Sequence, residues 1–353
     1  MAPDGEILRV EALEEPDRSP STEFYAGILV PGFVNVHAHL ELSYLCGAIP
    51  EGGGFAAFAR AMGEVRGRYS MEERKAAARV ADARMWAEGV QAVGDISNDE
   101  WCIEIKEQSP IHYHTFAEVF GLKTLDLSHQ QSLLNHDSTS LTPHSTYSLQ
   151  EGLFRQVCAD GEAPLSIHFM ESAAEEELYR GEGALHDWYE RVGFSCDFLH
   201  HGSPAKRLVD SIPPYRRLLL VHNCLVKRED VELLTTHFEP PVYWALCPAS
   251  NHYISRLTPP LELLREVGAR ICIGTDSLAS NHSLSMVEEL RRLEGVPLWE
   301  RLDWATRRGA EALGLASMMG SIEPGKRPGV VLIEGADLKR MELKEATCAR
   351  RLV

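Results

Sequence analysis

The segment Leu29-Val-Pro-Gly-Phe-Val-Asn-Val-His-Ala-His-Leu40 combines a run of apolar residues with two histidines one residue apart. Its phenylalanine and valines favour a β-strand, and Pro31-Gly32 predicts a turn at the start of that strand. Side chains alternate along a strand, so His37 and His39 are expected on the same side, where two imidazoles can bind one cation. Two histidines packed at a strand end would give the same spacing, so other polar residues must decide between these interpretations.

The amino-acid composition limits the classes of protein to which this chain can belong. The chain has 353 residues, 44% of them hydrophobic, which is enough for one large α/β barrel or for two ordinary domains. The formal net charge of −17, with basic residues interleaved among more numerous acids, argues against nucleic acid as a partner. We expect no secretory signal, because the first residues lack a basic region followed by an apolar one, and no apolar run reaches the ~18 residues that span a membrane. The eight cysteines contain no Cys-x-x-Cys pair, which fits reduced thiols. Together with the negative charge, these features lead us to expect a cytoplasmic enzyme that acts on a small molecule.

Predicted strands alternate with helical segments along most of the chain. After the opening strand, further strands are expected at Val90–Ile96, Ile111–Phe120, Ser140–His144, Leu165–Met170, Leu218–Leu225, Val242–Cys247 and Ala269–Gly274. Helices are expected at Phe55–Gly67, Met71–Glu88, Ala173–Val192 and Leu261–Val267. Eight strand and helix units over roughly 250 residues match a (β/α)8 TIM barrel, and a doubly wound sheet rarely needs so many.

Both ends of the chain depart from this alternation. Short strands separated by Pro and Gly turns are expected at Ile7–Val10, Tyr25–Leu29 and Val330–Glu334. We therefore expect a barrel over residues 31–319 and, beside it, a small β-sandwich domain in which residues 1–30 pair with residues 320–353.

Polar residues follow several predicted strands at their carboxyl ends. They are His168 and Glu171 after the fifth strand, His222 after the sixth and Asp276 after the eighth. Each has an ordinary alternative as a core histidine, a helix cap or an exposed residue at a helix start. If these residues had unrelated structural roles, they would not all be expected at the face where barrel enzymes assemble their sites. Three imidazoles and a carboxylate around an open position suit zinc or ferrous iron, and such a site lowers the pKa of a bound water.

These motifs resemble the amidohydrolase superfamily, in the mononuclear aminohydrolase and chlorohydrolase branch that includes cytosine, guanine, adenosine and aminodeoxyfutalosine deaminases. The resemblance runs from about Leu29 to Arg327. It rests on the opening segment, His168-x-x-Glu171, His222, Gly274-Thr-Asp-Ser277 and Gly320-Ser-Ile-Glu-Pro-Gly-Lys326. Thr142-Pro-His-Ser-Thr-Tyr-Ser148 resembles a family segment whose histidine commonly contacts the substrate.

The resemblance implies a role for each residue. The metal ligands would be His37, His39, His168 and Asp276, and the substrate would contact His144, Glu171, His222 and Ser277. Asp276 would accept a proton from the attacking water, Glu171 would protonate the ring and the leaving amine, and His222 would support the tetrahedral centre. Binuclear relatives use a lysine after the fourth strand. Residues 138–148 contain none, which favours one divalent ion per chain, zinc or alternatively ferrous iron.

Two features depart from the family pattern. Only thirty residues precede Pro31, so we expect either a reduced β-domain or a different start codon. Leu40-Glu-Leu-Ser43 resembles some aminodeoxyfutalosine deaminase relatives more than adenosylhomocysteine deaminases.

We therefore expect a metal-dependent deaminase that releases ammonia from a purine-like or other amino-substituted heterocycle, with aminodeoxyfutalosine as one candidate. The alternatives are hydrolysis of a ring carbon–halogen or cyclic amide bond at the same metal, and a non-catalytic barrel scaffold. The sequence leaves open whether the protein forms a homo-oligomer.

Overall fold

A computed structural model describes residues 1–12, 22–121, 127–159 and 161–353. The strands are β1 (Ile28–Pro31), β2 (Phe33–Ala38), β3 (Val90–Ser97), β4 (His112–Val119), β5 (Thr139–Pro143), β6 (Leu165–Phe169), β7 (Leu218–His222), β8 (Tyr243–Leu246), β9 (Arg270–Ile273), β10 (Val330–Glu334) and β11 (Cys348–Arg351). The α-helices are α1 (Phe55–Val65), α2 (Met71–Ala87), α3 (Ile103–Gln108), α4 (Ser128–Leu133), α5 (Glu151–Ala159), α6 (Ala173–Tyr179), α7 (Gly183–Val192), α8 (Pro204–Ser211), α9 (Arg228–His237), α10 (Pro248–Ser255), α11 (Leu261–Glu266), α12 (Met286–Arg291), α13 (Leu298–Trp304) and α14 (Arg307–Ala312). Short 3-10 helices cover Leu40–Leu45, Arg66–Arg68, Glu100–Cys102 and Leu199–His201.

Strands β2 to β9 form two parallel four-stranded sheets, in the orders β2-β3-β4-β5 and β6-β7-β8-β9. These are the eight strands expected from the sequence. Within each sheet, neighbouring strands are consecutive in the chain, because a helix between them returns the chain to the start of the next parallel strand. Two isolated parallel bridges link the edges of the sheets. One joins Ser145 to His168, and the other joins Ala38 to Asp276.

The sheets are buried on both faces. All six residues of β2 are buried, as in a parallel strand that is covered on each side. Val34 and Ala92 of the first sheet share one hydrophobic cluster with Leu219 and Ala245 of the second. A larger cluster joins the strands to the helices and includes Met85 of α2. The two sheets therefore pack against each other and against the helices that surround them.

Local sequence sets where helices begin and end. Helix α2 starts at a capping box, in which Ser70 Oγ accepts from the Glu73 amide at 3.3 Å and the Glu73 carboxylate accepts from the Ser70 amide at 2.8 Å. The single helix expected over Ala173–Val192 is divided into α6 and α7, because Gly181 between them and Gly183 at the first position of α7 have φ values of 72° and 90°. Among the described residues, no helix has the length and apolarity needed to cross a membrane.

The two ends of the chain form a three-stranded antiparallel sheet in the order β1-β10-β11. Strand β10 has the predicted bounds, but β1 shares only its first two residues with the predicted Tyr25–Leu29. The expected strand at Ile7–Val10 is wrong, since this segment is irregular and only Ile7 exchanges backbone hydrogen bonds with the chain near Gly325. The predicted β-sandwich needs two packed sheets. It is not confirmed, because the described residues at the two ends of the chain form one sheet. Residues 13–21 of the sandwich's expected N-terminal part lie outside the described ranges.

Candidate metal and catalytic site

Three histidines meet at the carboxyl ends of β2 and β6, and we call them the histidine cluster. His37 lies in β2, His39 follows directly after it and His168 lies in β6. His37 Nε2 and His39 Nε2 are 3.2 Å apart, and one ring nitrogen from each of the three lies within 4.8 Å of the others. Strand β2 ends at Ala38, so His39 is not in the strand as expected. Its imidazole nevertheless faces that of His37.

Asp276 lies beside the histidine cluster. Its Oδ1 is 3.4 Å from His39 Nε2, and its Oδ2 accepts hydrogen bonds from the hydroxyls of Ser250 at 2.5 Å and Ser280 at 2.9 Å. The backbone of Asp276 has φ 57°, in the left-handed region that residues other than glycine seldom adopt. The bridge to Ala38 holds it next to β2. The structure thus brings together all four residues predicted to bind the metal.

The histidine cluster fits a divalent cation. Burial, reinforced by His168, lowers the pKa of His37 well below its usual value, and burial lowers the pKa of His39 to about 3 despite nearby Asp276. His168 Nδ1 donates to the His144 carbonyl at 2.8 Å, which leaves the lone pair of its Nε2 free. Neutral imidazoles can each present the lone pair of a ring nitrogen to a cation placed between them. With one carboxylate, this donor set suits zinc.

Glu171 and His222 form a second pair next to the histidine cluster. The His222 ring stacks on the His168 ring with centroids 5.4 Å apart, and His222 Nε2 is 3.8 Å from Glu171 Oε1. His222 Nδ1 donates to Asn251 Oδ1 at 2.7 Å, so the lone pair on Nε2 faces the site. Within the described ranges this nitrogen has no hydrogen-bond partner. Burial raises the pKa of Glu171 to about 7, so its carboxyl group can both donate and accept a proton near neutral pH.

His144 and Ser277 differ in their surroundings. The His144 ring stacks on the His168 ring with centroids 4.6 Å apart, and its Nδ1 lacks a partner in the part of the chain that the structure describes. This atom is buried, and its contact with a substrate stays a prediction. Ser277 is buried, and its hydroxyl lies 3.3 Å from that of Ser280, among the groups that hold Asp276. Its expected contact with a substrate stays a prediction.

Buried charges behind the histidine cluster were not anticipated from the sequence. Asp95 of β3 forms an ion pair with Lys106 of α3, and Asp95 Oδ1 accepts from the Leu40 amide at 2.7 Å, directly after His39. Glu118 Oε1 of β4 lies 3.8 Å from His168 Nδ1. Both acids lie in the carboxyl-terminal part of a strand. The pattern that pointed to His168, a polar residue at the end of a predicted strand, therefore applies to them as well. Lys106 lies inside a helix and carries no such signal.

We expect Lys106→Met to destabilise the protein strongly. The substitution leaves the fully buried Asp95 carboxylate without its cation, and breaking a buried ion pair in this way costs about 3–5 kcal/mol in the free energy of unfolding. Urea titration followed by circular dichroism measures the change. Lys75→Met is the matched control, because Lys75 is 3.8 Å from exposed Glu104 and its loss should cost less than about 1 kcal/mol. Equal stability of the two variants would show that Asp95 does not depend on Lys106.

Three imidazoles and a carboxylate at the carboxyl ends of parallel strands, beside an acid that titrates near neutrality, are typical of metal-dependent hydrolases. The chain belongs to the amidohydrolase family, whose model matches residues 28–351. The superfamily predicted from the sequence motifs is therefore confirmed.

Similar proteins carry the names of deaminases. An adenosine deaminase of Helicobacter pylori is 30% identical over 331 residues, which cover 86% of this chain and 78% of the relative. A 5-methylthioadenosine/S-adenosylhomocysteine deaminase of Halalkalibacterium halodurans is 26% identical, over 94% of this chain and 79% of its own length. Among solved structures, Helicobacter pylori aminofutalosine deaminase in complex with methylthio-coformycin has a TM-score of 0.76 at 27% identity and covers 90% of this chain and 80% of its own.

Proposed function

We propose that this protein is a metal-dependent deaminase that releases ammonia from the adenine ring of a nucleoside. The observation that carries the proposal is the position of Glu171, a buried acid 3.8 Å from His222 and next to the histidine cluster. Hydrolytic removal of an amine from a heterocycle needs a proton donor of this kind beside an activated water. The three similar proteins described above, which are named as deaminases of adenosine or of related compounds, support this choice of substrate.

We assign the metal to four residues. His37, His39, His168 and Asp276 would hold one divalent ion, zinc or alternatively ferrous iron. When bound, the ion would supply the Lewis acidity that makes water nucleophilic at neutral pH.

The remaining roles belong to the side chains of this chain. Asp276 would accept a proton from the attacking water, since its Oδ1 faces the cluster while two serines hold its Oδ2. Glu171 would protonate the ring nitrogen and then the departing amine. His222 would orient the water through Nε2, whose lone pair faces the site because Asn251 fixes the proton on Nδ1. His144 Nδ1, a buried ring nitrogen without a hydrogen-bond partner among the described residues, is assigned to substrate binding together with Ser277.

We also propose that β2 to β9 close into a single (β/α)8 barrel over residues 31–319, with residues 1–30 and 320–353 in a small β-domain. The two bridges between the sheet edges and the hydrophobic cluster that spans both sheets support closure. A closed barrel would explain why polar residues from β2, β6, β7 and β9 reach one site.

Zinc-loaded protein should release ammonia from at least one adenine nucleoside with a kcat/KM of about 10⁴ M⁻¹s⁻¹ or more. The test panel contains adenosine, 5′-methylthioadenosine, S-adenosylhomocysteine and aminodeoxyfutalosine, together with guanine, cytosine and a chlorotriazine. Ammonia and chloride are measured in parallel, and binding of methylthio-coformycin is followed by calorimetry. Chloride release from the triazine, or ammonia release from cytosine alone, would contradict the proposal.

A further inference from the structure

The turn between His168 and Glu171 has a backbone conformation that needs support. Met170 has φ 48°, in the left-handed region that a residue with a large side chain seldom adopts. Its amide donates to Glu175 Oε2 at 2.7 Å, and Glu175 lies on α6 with 1% of its surface exposed. This turn sets the direction in which the chain leaves β6. The bond from Glu175 therefore fixes the position from which the Glu171 side chain approaches His222.

The other oxygen of the same carboxylate reaches a second loop. Glu175 Oε1 accepts a hydrogen bond from the hydroxyl of Thr146, two residues after His144. The Thr146 carbonyl accepts from the Tyr179 hydroxyl at 2.7 Å and from the Arg207 guanidinium, so this loop is held from α6 and α8. Glu175 alone of these groups also bonds to the turn before Glu171. One carboxyl group thus links the loop after β5 to the loop after β6.

We propose that Glu175 is a positioning residue for the deamination, because its carboxyl group keeps Glu171 and His144 in a fixed relation to the histidine cluster. This inference rests on the proposed function. Burial raises the pKa of Glu175 to about 8, yet the bridge does not need the charge. One oxygen accepts from an amide, and the other partner is a hydroxyl, which can donate or accept. A glutamine can therefore make both bonds, with its carbonyl on Met170 and its amide on Thr146.

The test compares Glu175→Ala with Glu175→Gln. In the alanine variant we expect kcat to fall on the order of 10–100-fold at unchanged metal content, because small displacements of reacting groups cost this much. Amide hydrogen exchange should become faster in residues 144–149 and in residues 169–172 together. The glutamine variant should keep kcat within about threefold of the original, with both exchange rates unchanged. Glu176→Ala on the same helix is the control, since its carboxylate pairs with exposed Lys227.

Three results would overturn the proposal. They are normal turnover in Glu175→Ala, equal losses in the alanine and glutamine variants, and faster exchange confined to α6. If Glu175→Ala does not fold, Thr146→Val removes one arm of the bridge. It should then speed exchange in residues 144–149 and lower kcat, and unchanged exchange there would also reject the bridge. If the unaltered protein deaminates no adenine nucleoside, the proposed function fails, whereas the exchange experiment still tests the link between the two loops.

Discussion

Glu171→Gln should keep its metal and its fold while turnover falls on the order of 10²–10⁴-fold. Glutamine has nearly the same shape and can still form a hydrogen bond to a ring nitrogen, but it cannot transfer a proton. Binding of substrate or of methylthio-coformycin should therefore survive nearly intact. The measurements are ammonia release, metal content by mass spectrometry and inhibitor binding by calorimetry on the same preparation.

Glu182→Gln is the control for this experiment. Glu182 immediately precedes α7 and pairs with Arg180 on the surface, so its substitution should change neither turnover nor metal content. If Glu171→Gln turns over normally, Glu171 is not the proton donor. If it loses metal, Glu171 belongs to the ligands, and the roles proposed for the two acids would have to be exchanged.

Asp276→Asn should lose metal and turnover together. The substitution removes the only carboxylate among the four proposed ligands, and asparagine cannot accept the proton from water. Substitutions of groups that merely support metal ligands lower affinity 10–100-fold, so loss of a ligand should cost on the order of 100-fold or more. Metal content is measured after dialysis against a graded series of chelator concentrations, beside the rate of ammonia release.

The contrast with Glu171→Gln makes this result specific, because both variants replace a buried acid by its amide at the same site. His168→Ala should resemble Asp276→Asn in metal content. Full retention of metal in either variant would remove that residue from the ligand set. Loss of turnover at full metal occupancy in Asp276→Asn would leave it as a proton acceptor alone.

Strands such as β7 and β8 could be predicted because a strand buried on both faces is a nearly continuous apolar run, and helices follow both along the chain. Among the short strands near the chain ends, β10 could be predicted with its bounds, whereas β11 could not. Cys348-Ala-Arg-Arg351 lacks the β-branched and aromatic residues that favour strands, and its pairing with β10 fixes its conformation. Conversely, Ile7–Val10 has strand-like residues, but only Ile7 meets a partner backbone.

The site could be predicted where polar residues end apolar strands, as at His37, His168 and Asp276. Residues that act through tertiary packing left no local pattern. Asn251, Lys106 and Glu175 all lie on helices, where a polar residue is ordinarily solvent-exposed, and only the folded chain turns them towards the strand ends. The left-handed backbones at Met170, His222 and Asp276 could not be expected either, because glycine is absent from these positions. Such conformations persist where surrounding contacts hold them, as at functional sites.

The sheet formed by the two ends of the chain has a consequence for the order of events during folding. Ile28 of β1 lies opposite Ile333 of β10, so all of β2 to β9 lies between the partners along the chain. During synthesis β1 leaves the ribosome first. Its edge stays unpaired until β10 has been synthesised. Pairings between such distant segments form slowly. The small sheet is therefore completed late, after the strands that carry the histidines have had time to associate.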